Sequence, residues 1–146
     1  FGYAFETPPG SNYPPILEMN TIEGPVTIAG AGGSLVFTPF EVDHGGVAAL
    51  GFRTGGLAYL PDVKEIPDPA WPLLDGLDCW IVDALRRNPH PSHAHLDQTL
   101  DWIARARPVR AVLTNMHVDL DYATVLAETP AHVEPAHDGL TLRFPD

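Results

Sequence analysis

The sequence predicts an α/β domain: a mixed or antiparallel sheet carrying two or three helices. Three observations predict it. Short β-branched and aromatic runs, separated by glycine turns, fill residues 26–60. Two stretches with apolar residues at helical spacing follow at 93–106 and 122–128. Short apolar segments at 80–82 and 111–114 read as strands alternating with them.

In chain order, residues 1–20 (FGYAFETPPGSNYPPILEMN) hold four prolines and no clean period, which predicts an irregular, flap-like segment. β texture begins at Thr21. Residues 26–29 (VTIA) and 34–41 (SLVFTPFE) turn about the glycine-rich 30–33. Residues 47–53 (VAALGFR) and 56–60 (GLAYL) turn about a Thr-Gly-Gly, so the four runs predict an antiparallel meander. Short buried strands are expected at 80–82 (WIV) and 111–114 (AVLT). Ser92 is the expected N-cap of a helix over 93–106, in which Leu96, Leu100 and Ile103 share a face and which Pro108 closes. Asp121 should cap a second helix over 122–128, with Val125 and Leu126 inward and Pro130 as its stop. Residues 132–144 return to strand texture around an Asp138-Gly139 turn.

The length of 146 residues suits one domain or part of one, and 45% hydrophobic against 18% charged residues is the balance of a chain with a core. Eight basic against 19 acidic residues leave a net charge of −11. That surface repels a phosphate backbone, and only Arg86, Arg87, Arg105, Arg107 and Arg110 provide local basic density. Extended nucleic acid is therefore a poor partner, whereas a small anionic substrate drawn to a bound cation is compatible. Cys79 is alone, so no internal disulfide forms and a reducing, cytoplasmic setting is expected. No apolar run approaches a membrane span and no secretory signal pattern is evident.

Residues capable of chemistry fall just past predicted strand ends: Asp43-His44-Gly45, Asp62, Asp83, Asn115 with His117, and Asp138. In α/β sheets such ends form the rim where ligands sit. His44 precedes a Gly-Gly pair that keeps the neighbouring backbone clear, which suits a metal ligand and equally a turn histidine. Asp62 follows Pro61 and reads either as a ligand or as a turn or cap aspartate.

The joint pattern is more specific. VDHGG, GLAYLPDV, IVDALR, PHPSH, LTNMHVDLDY and PAHDG occur in this order across most of the chain. This resembles the second half of metallo-β-lactamase-fold hydrolases, and within them the phosphodiesterases that open phosphoribosyl 1,2-cyclic phosphate. The resemblance implies that residues 1–146 are a single unit, the C-terminal half of an αββα sandwich. It also implies two divalent ions, zinc or manganese, with His44 and Asp62 as ligands and Asp62 bridging. Where the family has a third histidine ligand, this chain has Asn115, with His117 two residues on as the favoured replacement. His93 matches a proton donor beside the metals.

In the family an H-x-H-x-D-H run precedes all these positions. Here His93-x-His95-x-Asp97 comes after His44 and Asp62, and Gln98 stands in its last place. Inside the expected helix, residues two apart point about 200° apart and do not clamp one ion. That run is therefore not expected to bind metal, and His90 and His95 are read as solvated. The early motif would lie outside this chain, so Phe1 is expected to mark an internal start. Residues 1–146 alone are then expected to bind metal weakly, to be inactive, and to self-associate, as in a homodimer, through an exposed half-core.

The implied reaction is in-line attack on phosphorus by a water shared between two ions, with His93 protonating the leaving oxygen. Asp43, Asp83 and Asp138 would steady ligand imidazoles, or serve only as turn and cap residues. Two alternatives remain within the same fold: a nuclease of the kind that trims tRNA 3′ ends, and a binding member without turnover, for which Asn115 would be the mark.

Overall fold

A computed structural model describes residues 2–144. Seven strands form a sheet whose spatial order is the chain order. They are β1 (Val26–Gly30), β2 (Gly33–Asp43), β3 (Ala48–Thr54), β4 (Leu57–Leu60), β5 (Cys79–Asp83), β6 (Arg110–Thr114) and β7 (Val133–Pro135). Helix α1 (Leu96–Ala106) connects β5 to β6, and α2 (Tyr122–Glu128) connects β6 to β7.

The connections dictate strand direction. Short glycine turns join β1 to β4, and those pairs are antiparallel. Longer crossovers join β4 to β7, and those pairs are parallel. The β4–β5 crossover holds a 3-10 segment, Asp68–Leu74, punctuated by Pro69 and Pro72, which the sequence reading did not foresee. Two reversals, β2 to β3 and β3 to β4, restore the original direction. Strands β2, β4, β5, β6 and β7 thus all end at the same edge of the sheet.

One face of the sheet carries the core. The pairing aligns Leu60, Val82 and Leu113 across β4, β5 and β6, with Ala58, Trp80 and Ala111 two residues earlier. This face packs with Ile103 of α1, Val125 of α2 and Leu74 in one buried cluster. The phenyl ring of Phe40 lies across its register partner Gly51, where a Cβ would come within 2.4 Å of it. On the opposite face Ile28, Leu35, Leu50 and Tyr59 remain exposed. A single β layer with helices on one side is half of an αββα arrangement.

The helices differ from expectation at their starts and faces. Helix α1 begins at Leu96, with His95 rather than Ser92 at the N-cap position. Residues 94–96 spend their backbone groups sideways: Ala94 N–H donates to Val63 O, Leu85 N–H to Ala94 O, and Leu96 N–H to Arg86 O. Those bonds hold residues 93–95 out of the helix. Arg107, in left-handed conformation, ends α1 before Pro108. Asp121 caps α2 as expected, accepting from Thr124, whose hydroxyl and N–H bonds hold the carboxyl below its usual range. Val125 is buried, but Leu126 is exposed. Of the expected tail strands only β7 forms, and the Asp138-Gly139 turn leads into irregular chain.

Two outcomes test this packing. Leu60→Ala, at a fully buried position between β3 and β5, should destabilise the fold by about 2–5 kcal/mol in urea unfolding. Burial raises the pKa of the Cys79 thiol, and since only the thiolate reacts, iodoacetamide should label it slowly until denaturant unfolds the chain.

Candidate metal centre

At the end of β2 the chain turns sharply. The Asp43 carboxylate accepts from Gly46 N–H at 2.7 Å, and His44 N–H donates to Val47 O at 2.8 Å. Gly45 has φ +72°, and a Cβ there would lie 2.7 Å from Ser92 Cβ. The absence of a side chain at 45 therefore lets the 44–46 turn press against the 91–93 segment. In consequence the rings of His44 and His93 meet edge to face, 4.4 Å between centroids.

Asp62 follows β4 and Pro61, its side chain half exposed. Its carboxylate is 4.0 Å from His93 Nδ1. One ligand atom from each of His44, Asp62 and His93 falls within 4.8 Å of the others, the one such group of His, Cys, Asp and Glu among the described residues. Bonds of about 2.0–2.2 Å put two donors on one ion at most about 4.4 Å apart, so a small side-chain adjustment would bring the three around a single ion. The Nδ1 of His44 is buried and has no hydrogen-bond partner. Such an atom is costly unless something bonds it, and a mixed imidazole–carboxylate set suits zinc or manganese.

Behind His93 stands Asp83, fully buried at the end of β5. Its carboxylate takes His93 Nδ1 at 2.7 Å, Val63 N–H at 3.3 Å and the Asn115 amide at 3.4 Å. Burial pushes its pKa up, against the opposing pull of the His93 bond and charge. With Nδ1 committed to Asp83, His93 has Nε2 left for chemistry. Thr99 Oγ1 donates to the Asp83 carbonyl at 2.6 Å, tying α1 to the same strand end.

Asn115 and His117 part company. Asn115 adopts φ +60°, and its amide lies 3.3 Å from His93 Nδ1 and 3.4 Å from Pro61 O. His117 lies outside the three-residue group: its Nδ1 is 3.0 Å from Asp119, and its N–H donates to Leu85 O. Partial desolvation works to raise the pKa of Asp119, but hydrogen bonds from His117 and Arg87 N–H outweigh it and bring it below the usual range. His90 stacks obliquely 5.3 Å from His93, and desolvation, then the Arg86 charge, lower its pKa.

His95 turns away to Gln98, and Asp97 is exposed, so the HAHLD run contributes one side chain to the group. The helix argument against that run does not apply, because 93–95 are not helical. Asp43 serves the turn, and at Asp138 it is the carbonyl that accepts, from His137 Nδ1. The sequence reading missed Val63 N–H and Thr99. One is a backbone group and the other an ordinary helical threonine, so neither carries a motif.

A family described as "Beta-lactamase superfamily domain" matches residues 1–116. An octanoyltransferase of Porphyromonas gingivalis (strain ATCC BAA-308 / W83) is 30% identical over 109 residues, 73% of this chain and 22% of that protein. Among solved structures, a diphosphatase from the PhnP family superposes with TM-score 0.82 at 32% identity, covering 88% of this chain and 49% of that one. Zn(2+)-bound PqqB from Methylobacterium extorquens gives TM-score 0.62 at 19% identity, over 87% of this chain and 56% of that one. Human tRNase Z, short form, gives 0.59 at 16%, over 88% and 46%. The last two are likenesses of fold alone. The chain spans about half the length of these solved relatives and about a fifth of the octanoyltransferase.

Gly45→Ala places a methyl group against Ser92 at a backbone angle that favours glycine. It should destabilise the protein by about 1–3 kcal/mol in thermal melts and disturb the His44–His93 contact, read as a shift of both imidazole resonances in NMR.

Proposed function

The chain belongs to the β-lactamase superfamily and has its metallo-β-lactamase fold, and on that premise we propose that it forms part of the active centre of a metal-dependent hydrolase cleaving a small phosphodiester. The observation that carries this reading is the convergence of His44, Asp62 and His93 at one sheet edge, with the buried Nδ1 of His44 otherwise unpartnered. His44 and Asp62 would hold the cation, with Asn115 beside them. Two divalent ions, zinc or manganese, would supply an activated water and polarise the phosphoryl oxygen when bound. Among the described residues the group holds three donors, fewer than two ions need, so further ligands would be required.

The chain's own residues organise the proton transfer. Asp83 accepts from His93 Nδ1, which fixes the ring plane. Nε2 of His93 can then deliver a proton to the departing oxygen. Asn115 Nδ2 bonds the other carboxylate oxygen of Asp83 and keeps that group oriented.

A phosphoryl substrate is supported by the likeness to the PhnP-family diphosphatase, at 32% identity. The net charge of −11 disfavours a tRNA substrate despite the shared fold with tRNase Z. Octanoyl transfer is named for a protein of which the matched segment is 22%, and it is not carried over. A specific observation keeps a second role for His93 open: it belongs to the same donor group as His44 and Asp62, and a carboxylate-backed imidazole also suits a metal ligand.

The test uses the full-length protein, with metal content measured and turnover of bis(p-nitrophenyl) phosphate followed. A chelator should abolish turnover, and His44→Ala and Asp62→Ala should each lose at least about tenfold in metal affinity. His93→Ala should retain metal and lose about 10²–10⁴ in kcat. Loss of metal in His93→Ala would make it a ligand instead of the acid. Turnover that survives complete metal removal would end the hydrolase reading. Asp83→Asn should lower the melting temperature, since its amide NH2 would face one of the three buried donors the carboxylate accepts from, while kcat falls about 10–100-fold.

A further inference from the structure

The loop between β5 and α1 holds a second histidine, His90, in a fixed place beside His93. Arg86 clasps the loop from within, its Nε donating to Asn88 O at 3.1 Å and its Nη2 to Pro89 O at 2.8 Å. Proline flanks His90 on both sides, which fixes φ at both neighbouring positions. From outside, Pro91 O and Ser92 lie against the Gly45 turn, within 2.9 Å of where a Cβ would stand. The half-buried His90 ring has its centroid 5.3 Å from that of His93. It lies outside the three-residue donor group.

Ser92, expected to cap α1, serves this ring instead. Its N–H and its hydroxyl each lie 3.3 Å from His90 Nδ1. A backbone N–H can only donate, so Nδ1 of His90 is the lone-pair nitrogen and the ring proton sits on Nε2. His93 is bound the opposite way. Its Nδ1 meets the Asp83 carboxylate at 2.7 Å, and a carboxylate holds a proton on Nδ1. Two adjacent imidazoles therefore carry opposite tautomers: His93 offers Nε2 for proton exchange, whereas His90 offers an Nε2–H. Desolvation, followed by the charge of Arg86, lowers the His90 pKa, and a neighbouring dication would press in the same direction.

We propose that His90 is a substrate-contacting residue, its Nε2–H donating a hydrogen bond to a non-leaving phosphoryl oxygen while His93 handles the proton. This rests on the hydrolase reading of the neighbouring metal group. A donor that keeps its proton stabilises charge building on that oxygen without exchanging with the leaving group. The division of roles follows from what each Nδ1 is bound to, a carboxylate or a backbone N–H.

A purely structural His90 would only close the 90–92 turn, and substitution separates the two roles. His90→Asn keeps an acceptor for Ser92 N–H, as in an Asx turn, but has no donor where Nε2 stood. His90→Gln puts an amide N–H near that place. The full-length protein loaded with zinc is titrated with inorganic phosphate by calorimetry. His90→Asn should bind phosphate about 10–100-fold more weakly at unchanged zinc content and melting temperature, and His90→Gln should recover most of the loss. Long-range proton–nitrogen NMR correlations of the wild-type His90 ring should show Nε2 protonated and Nδ1 bare. Phosphate binding by His90→Asn as tight as wild type, or a proton on Nδ1, overturns the His90 assignment alone. So does loss of zinc in His90→Asn, which would make His90 a ligand. If the wild type does not bind phosphate, the hydrolase reading fails and takes the His90 contact with it.

Discussion

Because β2 runs in the same direction as β4, β5, β6 and β7, each loop that carries a histidine or aspartate of interest leaves the sheet at one edge. His44, Asp62, Asp83 and Asn115 stand far apart in sequence, and no local structure could join them. Strand direction does so at a spacing set by hydrogen bonding between strands. The antiparallel half contributes two reversals, which return β4 to the direction of β2. With one reversal more or fewer, His44 would stand at the opposite edge from Asp62.

Buried Asp83 is the energetic counterpart of that alignment. A fully buried carboxylate is tolerated only where partners meet it, and three do, from three different elements: His93 before α1, Val63 after β4, and Asn115 after β6. The same group that is costly to bury fixes the position of the imidazole that the site needs. Raised burial cost and precise orientation are therefore one feature. The Gly45 turn completes it from the other side, because a backbone without a side chain is what lets His44 approach His93.

Legibility in the sequence followed locality. The meander between 26 and 60 was readable from β-branched runs and glycine turns, and the Asp121 cap from a side chain that bonds three residues along its own chain. The start of α1 was not readable. Its apolar spacing extends through a segment whose backbone groups are taken by Val63, Leu85 and Arg86, and those bonds are tertiary. The 3-10 segment over Asp68–Leu74 was likewise hidden among prolines with no period. Leu126 shows the same limit in a side chain: a short helix offers an apolar face, but what covers it is decided elsewhere in the fold.

By itself, the sequence determined the element types, the acidic surface, and the placing of His and Asp residues just beyond strand ends, because each depends on neighbours within a few residues. The family resemblance already set His93 beside the metals and His95 apart; only the tertiary structure decided that 93–95 lie outside the helix, that His95 turns to Gln98, and that Asn115 rather than His117 stands beside His93. Those outcomes depend on which backbone groups across the sheet claim each loop, and hydrogen bonds between distant segments leave no spacing in the chain to read.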